Sequence, residues 1–261
     1  MESFHPLYEL FFQHKANLPD IQFMASGKKL PLFAEKEHSS SSPMTLHQVT
    51  DLNKTLIGLI SRNIHLMYIP DRIAHGNVCF ATENEHLQEA YRLYFDYQDL
   101  LHYAYAFIHT VAGQQLNVMY LTNQYILVDL PKSEQQFWYF QKMGKSLRLL
   151  HTLSNIDIDM ASIHFGSDDS GIKKLTCQES ENGWRLYIDK NTNFCYYPKR
   201  SVEFHYFGYN PVQTQIENRK GHDLTKDEMI MIVKIITSVE KTIDLIRLMD
   251  SLNGPIANKN P

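Results

Sequence analysis

Residues 182–227, which read NGWRLYIDKN TNFCYYPKRS VEFHYFGYNP VQTQIENRKG HDLTKD, decide the fold of the C-terminal half of this chain. Apolar residues alternate with more polar ones along two runs, 184–189 and 202–207, with a period of two. That period is typical of a strand with one buried face. The stretch therefore predicts two strands of a small antiparallel sheet, joined by a polar connection at residues 198–201.

Basic and amide side chains cluster in the loops at the ends of this predicted sheet. Lys199 and Arg200 stand in the connection between the two strands. The turn 208–211, Gly-Tyr-Asn-Pro, breaks the second strand, and the basic segment 218–222 follows it. Lys and Arg side chains suit phosphates and guanine edges, and Asn and Gln side chains suit adenine edges. These loops therefore favour a contact with nucleic acid.

A long helix is predicted over residues 225–252. Thr225 and Glu228 have the spacing of a capping box, and residues 253–255, Asn-Gly-Pro, end the helix. The apolar stripe recurs at spacings of three and four, which indicates a core helix that clamps the sheet, with a coiled-coil dimer as the alternative. The stripe consists of Met229, Ile232, Ile236, Val239, Ile243 and Ile246.

Upstream, the pattern is mainly helical. Residues 84–93 predict a short helix, residues 96–113 a helix that is apolar nearly all round, and Ser133 opens a third with Gln136 at capping-box spacing. Gly144 in the third helix permits a neighbour to approach closely. The strand candidate 172–178 and the turn Asn-Gly at 182–183 lead into the sheet.

Two clusters invite a metal-site interpretation, and a structural interpretation is preferred for both. His102 and His109 are seven residues apart, whereas zinc-binding pairs on a helix normally lie four apart, so they are interpreted as core or boundary histidines. The acidic residues are interpreted as solvated loop carboxylates. They are Asp157, Asp159, Asp168 and Asp169, with His164 among them.

The first part of the chain gives weaker signals. Residues 52–60 have helical spacing, but 56–68 could also hold a strand, so both remain open. Residues 39–43, Ser-Ser-Ser-Ser-Pro, form a loop or linker. Whether the chain is a natural short protein or a domain cut from a longer one also stays open.

Composition describes ordinary globular material. The chain has 261 residues, 43% hydrophobic and 21% charged, with a formal net charge of −4. A protein that holds DNA by itself is usually basic, so any DNA contact here needs a local basic face.

The three cysteines are widely spaced and indicate neither a zinc ribbon nor a disulfide framework. No secretory signal or apolar run of about 20 residues is present, which makes a cytoplasmic location the expectation.

Catalytic motifs are missing from the sequence. The nearest approach to an adenine methyltransferase loop is residues 210–213, Asn-Pro-Val-Gln, which lacks the second proline and the aromatic residue. No glycine-rich loop follows a strand, so we expect no adenosylmethionine or ATP site and no cofactor.

Seven residues of the C-terminal stretch fall on motifs of a known family. They are Tyr187, Phe194, Gly208, Tyr209, Arg219, Lys220 and Gly221. In this order they resemble the C-terminal target recognition domain of single-chain Type ISP restriction–modification enzymes. Phe207 stands where that family has the first glycine of a Gly-Gly-Tyr turn, and Gln215 stands where it has a tryptophan.

A second block of the resemblance lies in the helical part. The run 99–109, with its Tyr-Ala-Tyr-Ala-Phe-Ile-His, is similar to a Tyr-x-Tyr-Ala-x-Leu-His run of the family. Residues 130–132, Leu-Pro-Lys, and residues 144–151, Gly-x-x-Leu-x-x-Leu-His, follow in the family's order. Leu127 falls roughly where the family has an arginine. The two blocks together cover about residues 84–252.

The switch from period 3.6 to period 2 and back along the chain predicts an α+β fold, in which a helical subdomain packs on a small antiparallel β-rich subdomain closed by a long C-terminal helix. We expect an extended or mixed N-terminal segment (1–83), a helical part (84–155) and a β-rich target-recognition part with the C-terminal helix (156–261).

The resemblance also implies that the chain reads a DNA target sequence. It would position double-stranded DNA for an adenine methyltransferase and a translocase–nuclease in cis or in trans. A non-catalytic interaction or scaffold module that keeps the fold is the alternative, and an enzyme using the His and Asp groups is a third hypothesis. The residues expected at DNA are Lys173, Lys174, Arg185, Lys199, Arg200, Tyr209, Asn210, Gln213, Gln215, Arg219 and Lys220.

Overall fold

The computed structural model describes residues 20–33, 52–70, 93–117, 125–154, 156–158, 176–187, 193–206, 208–219 and 224–253. The chain divides into an N-terminal unit, Leu7–Arg148, and a C-terminal unit that holds Leu149–Pro261. Residues 84–92 of the helix predicted over 84–93 lie outside the described residues, as does most of the acidic cluster, and Leu93 itself is not helical. The three-part division expected from the sequence stays a prediction.

A three-stranded mixed sheet lies in the N-terminal unit. Strand β1 (Asp20–Ala25) pairs antiparallel with β2 (Lys28–Pro31) and parallel with β5 (Tyr125–Asp129). Ser26 and Gly27 join β1 to β2 with φ angles of 48° and 79°. Two positive φ values in a two-residue turn match the right-handed twist of the flanking strands.

Helix α1 (Lys54–Ile64) settles the choice that the sequence left open between helix and strand. The Asn53 side chain accepts hydrogen bonds from the first turn, and the helix ends at His65 in the left-handed conformation. A short strand β3 (Met67–Tyr68) follows and pairs parallel with β4 (Tyr94–Phe95).

The other helices of this unit are α2 (Tyr97–His109), α3 (Val111–Leu116) and α4 (Glu134–His151), whose last turn belongs to the C-terminal unit. Every residue of α2 from position 99 to position 109 is buried, which confirms the prediction that it is enclosed on most sides. The backbones of α2 and α4 come very close, because a Cβ added to Gly144 would lie 1.9 Å from the carbonyl oxygen of His102.

An antiparallel sheet opens the C-terminal unit, with strands β6 (Thr176–Ser180), β7 (Gly183–Tyr187) and β8 (Asn193–Pro198) in that order. The strand predicted over residues 184–189 is confirmed as β7 within the described part. The tight turn before it lies one residue earlier than predicted, at Glu181 and Asn182, because Gly183 already pairs with Ser180 as the first residue of β7. β8, which the alternation did not reveal, is the third strand.

The second predicted strand, residues 202–207, is wrong. Its first residues belong to a short helix, α5 (Lys199–Glu203), and Tyr206 makes only an isolated bridge to Tyr209. The side chains of Arg200 and Ser201 bond to a carboxylate on the C-terminal helix, and these long-range contacts favour a helical turn over a strand. Helix α6 (Pro211–Glu217) follows the bridge.

Helix α7 (Lys226–Asn253) confirms the long C-terminal helix and its capping box. The backbone N–H of Glu228 donates to Thr225 Oγ1 at 3.2 Å, and the Thr225 N–H donates to Glu228 Oε2 at 2.8 Å. Its apolar stripe packs with the inner face of the sheet and with α6, so the core-helix interpretation is confirmed. The α+β fold class is therefore confirmed, with small antiparallel pairings and a long C-terminal helix. No helix in the described part of the chain is long and apolar enough to cross a membrane.

Candidate nucleic-acid interface

Helix α5 presents the first pair of cations that the sequence nominates, and the two side chains have different surroundings. The Lys199 ammonium is 3.5 Å from Glu203 Oε1, and both side chains are exposed. Exposed pairs of this kind contribute little to stability and exchange easily with other partners. Lys199 therefore remains accessible to a ligand.

Arg200 instead ties α5 to α7. Its guanidinium donates to Asp244 Oδ1 at 2.7 Å and also to Glu240 Oε2, while Ser201 Oγ donates to Glu240 Oε1. The hydrogen bonds to Glu240, and then those to Asp244, raise the pKa of Arg200. Two carboxylates balance the charge of Arg200, so the main structural role of its side chain is to hold α5 against α7.

The Gly-Tyr-Asn-Pro turn starts α6 and positions the nominated amides. Asn210 is 5% exposed, and its Oδ1 accepts from the backbone N–H of Gln213 at 2.8 Å as the N-cap of α6. Tyr209 exchanges two backbone hydrogen bonds with Tyr206, and burial raises the pKa of its hydroxyl. Both residues thus shape the turn.

Polar side chains of α6 bond one another along the helix. Gln213 is exposed, and its Nε2 donates to Glu217 Oε1 at 2.8 Å. The guanidinium of Arg219 donates to the Gln215 side chain and, at 3.3 Å, to the Gln215 carbonyl oxygen. The hydrogen bonds of Arg219 described by the structure are to neutral groups of Gln215, so among the described residues no carboxylate binds its guanidinium. Helix α5 contacts α6, so the structure brings the two nominated loops together.

Arg185 belongs to β7 rather than to these loops, and its side chain is exposed. Lys173, Lys174 and Lys220 lie outside the described residues.

The sequence patterns did not predict the carboxylates that bind Arg200. Glu240 and Asp244 are four residues apart on the polar side of the α7 stripe, and that spacing was the available signal.

The two histidines nominated for a metal lie in the core of the N-terminal unit. Burial lowers the pKa of both His102 and His109 to about 4. His109 Nδ1 lies 2.6 Å from the carbonyl oxygen of Tyr105, as the structural interpretation expects. Within the described ranges, no group of three or more His, Cys, Asp or Glu residues could hold a metal ion.

The model of the Type ISP C-terminal specificity domain matches residues 10–248, and the chain therefore belongs to that family. The match confirms the resemblance found in the sequence.

Two solved structures are similar to the chain. One is the ATP-dependent Type ISP restriction-modification enzyme LlaBIII bound to DNA, at 16% identity and a TM-score of 0.46. The other is a nuclease-deletion mutant of the Type ISP enzyme LlaGI in complex with a DNA substrate mimic, at 18% identity and a TM-score of 0.39. Each match covers 58% of this chain, but only 11% and 16% of the respective enzymes. No curated protein matches the chain.

Proposed function

We propose that this chain is the DNA target recognition domain of a Type ISP restriction–modification enzyme. The observation that supports the proposal most strongly is the family match over residues 10–248, nearly the whole chain, to a specificity domain. The domain would read a sequence in double-stranded DNA and set where the enzyme acts. It would work in the cytoplasm, where such an enzyme meets DNA.

The chemistry would be performed by other domains. An adenine methyltransferase and a translocase–nuclease, on the same polypeptide or on another, would use the DNA that this domain positions. We expect the isolated chain to bind neither adenosylmethionine nor ATP, because its sequence holds no glycine-rich phosphate loop.

The nominated DNA contacts divide into two groups by their surroundings. Lys199, Gln213 and Arg185 are exposed, and each can reach a ligand without losing a buried bond. Arg200 and Asn210 are engaged within the fold, where they hold α5 and start α6. We propose that the first group contacts DNA directly and that the second positions the loops that carry it.

A scaffold module that keeps the fold without reading DNA is the second candidate. The compensation of Arg200 by two carboxylates and the net charge of −4 favour it. The two candidates differ in one measurable property. A DNA reader binds duplexes with a salt dependence set by its phosphate contacts, whereas a scaffold does not.

The test compares Lys199→Gln with Lys241→Gln, an exposed cation of α7 outside the nominated loops. Duplex binding by the intact enzyme is measured over a range of salt concentrations. If Lys199 neutralises a phosphate, its variant lowers the slope of log affinity against log salt by about one unit. The control variant keeps the slope. A wild-type enzyme whose duplex binding does not require this chain would favour the scaffold.

A further inference from the structure

The outer face of the β6–β7–β8 sheet carries a row of three exposed side chains. In the register of the sheet, Gln178 lies opposite Arg185, and Arg185 lies opposite Tyr196. All three are exposed, whereas Leu186 and Tyr197, which face the other way, are buried in the core of the C-terminal unit. The alternation of the strands therefore places an amide, a guanidinium and an aromatic ring side by side on the open face.

Arg185 is not compensated on this face. Among the described residues it forms no hydrogen bond or ion pair, unlike the other nominated cations Lys199, Arg200 and Arg219. No carboxylate stands in its row or in the flanking rows of the paired strands. Glu179 pairs with Trp184 and so points to the opposite face. A guanidinium without a partner among the described residues, in rows of the described strands that hold no carboxylate, is complementary to an anionic or acceptor-rich partner.

Tyr196 is held beside Arg185 by the hairpin turn. Its hydroxyl donates to the carbonyl oxygen of Asn182, and its side chain is 43% exposed. Gly183 makes room for the ring, because a Cβ at this position would lie 2.8 Å from Tyr196 Oη and 2.3 Å from the carbonyl oxygen of Tyr197. The ring thus borders the row at a fixed place.

We propose that this row lies against base edges in the major groove of duplex DNA, with Arg185 on a guanine and Gln178 on an adenine of the adjacent base pair. This inference rests on the proposed function, and it assigns base contacts to the outer face of the sheet in addition to the loops. Arg pairs with guanine O6 and N7, and Gln pairs with adenine N6 and N7.

The dimensions of the sheet fit this arrangement. Neighbouring strands lie about 4.8 Å apart, and stacked bases about 3.4 Å apart, so two side chains on paired strands can reach adjacent base pairs. The major groove admits a two-stranded ribbon. Strand β6 is an edge of the sheet, so the β6–β7 hairpin can approach the groove without obstruction from a further strand among the described residues.

The experiment selects duplexes from a randomised library with the intact enzyme and compares Arg185→Ala and Gln178→Ala with the wild type. For Arg185→Ala we expect the guanine preference to fall about 5- to 150-fold at one position, while the other positions keep theirs. Gln178→Ala should do the same for an adenine of the adjacent base pair. Tyr196→Phe keeps the ring and should leave the selected sequence unchanged.

Three results would overturn this inference. If Arg185→Ala weakens all duplexes equally, Arg185 holds a phosphate, and if both variants select the wild-type sequence, the face does not touch bases. In either case the proposed function survives. If the wild-type enzyme selects no sequence, the proposed function fails and this inference fails with it. Lys241→Ala is the matched cation control, and thermal unfolding of each variant shows whether the sheet is intact.

Discussion

The guanidinium of Arg200 donates a hydrogen bond of 2.7 Å to the carboxylate of Asp244, which joins the short helix α5 to the long helix α7. Glu240, one turn earlier on α7, binds the same guanidinium and also Ser201. The loop that carries Lys199 is thereby fastened to the core helix of its unit. Arg200, a cation that the sequence suggests as a phosphate contact, instead fixes the position of α5 and of Lys199 on it.

Replacing Arg200 by alanine should therefore affect stability more than DNA binding. We expect Arg200→Ala to lower the free energy of unfolding by about 1 kcal/mol, since the bond to Glu240 is partly shielded from water, whereas the exposed bond to Asp244 contributes little. Urea denaturation measures this, with the exposed Lys199→Ala as a control that changes it by less than about 0.5 kcal/mol. A salt slope of duplex binding that falls by a full unit in Arg200→Ala would show that Arg200 is a phosphate contact after all.

Two substitutions of Asn210 distinguish its role as the N-cap of α6 from a contact between its amide group and a base. Alanine removes the acceptor for the Gln213 N–H and should cost about 1 kcal/mol of stability. Aspartate accepts that bond equally well, so Asn210→Asp should keep both the stability and the selected DNA sequence. Thermal unfolding and library selection measure the two properties. Lost selection in a fully stable Asn210→Asp would make the amide a base contact.

Replacing Gly144, at the close contact between α2 and α4, and replacing Gly58, in a free position of α1, should have opposite effects on stability. At Gly144 an alanine Cβ would lie 1.9 Å from the His102 carbonyl oxygen, so Gly144→Ala should destabilise the protein by about 3 kcal/mol. Gly58, inside α1, has no atom within 4 Å of an added Cβ. Gly58→Ala should therefore stabilise the protein by up to about 1 kcal/mol. The denaturation midpoints of the two variants measure these changes in stability, and equal changes would contradict the close contact between α2 and α4.

The buried histidines predict a loss of stability in mild acid. Burial lowers the pKa of His102 to about 4, and the charges of Arg148 and Lys145 act in the same direction. The unfolded chain therefore takes up a proton below its ordinary pKa of 6.5, while the folded chain does so only near 4. The contribution of His102 is complete above pH 6.5 and is lost as the pH falls toward 4.

For His102 this loss amounts to about 1 kcal/mol between pH 6 and pH 5. His109, whose pKa burial also lowers to about 4, contributes in the same way. Urea unfolding of the wild type and of His102→Gln at the two pH values measures the difference. The variant should show a smaller loss, and an identical loss in both proteins would mean that His102 does not titrate as its burial requires.

Local patterns were enough for the elements whose signals lie within one turn or one strand. The Thr225–Glu228 capping box and the stripe of α7 could be predicted from residue spacing, because short-range geometry determines them. Gly144 indicated a close approach, but its partner His102, on another helix, could not be predicted from spacing. β7 was equally clear, since Leu186 faces the core and Arg185 faces solvent.

Long-range contacts explain what the patterns did not reveal. In β8, Tyr196 faces out and Tyr197 faces the core, so two identical side chains hid the alternation. The helical turn α5 was mistaken for a strand because Arg200 and Ser201 find their partner Glu240 some 40 residues away in sequence. The row formed by Gln178, Arg185 and Tyr196 depends on the pairing register, which no single segment specifies.

The most direct measurement of the central claim is a map of methylated adenines made by an exchange of specificity domains. This chain replaces the specificity domain of a Type ISP enzyme of known target, and the sites methylated in genomic DNA are sequenced. If the chain reads DNA, the hybrid methylates one new sequence and leaves the host enzyme's sites unmodified. Methylation at the host enzyme's own sites by a folded hybrid would contradict the account.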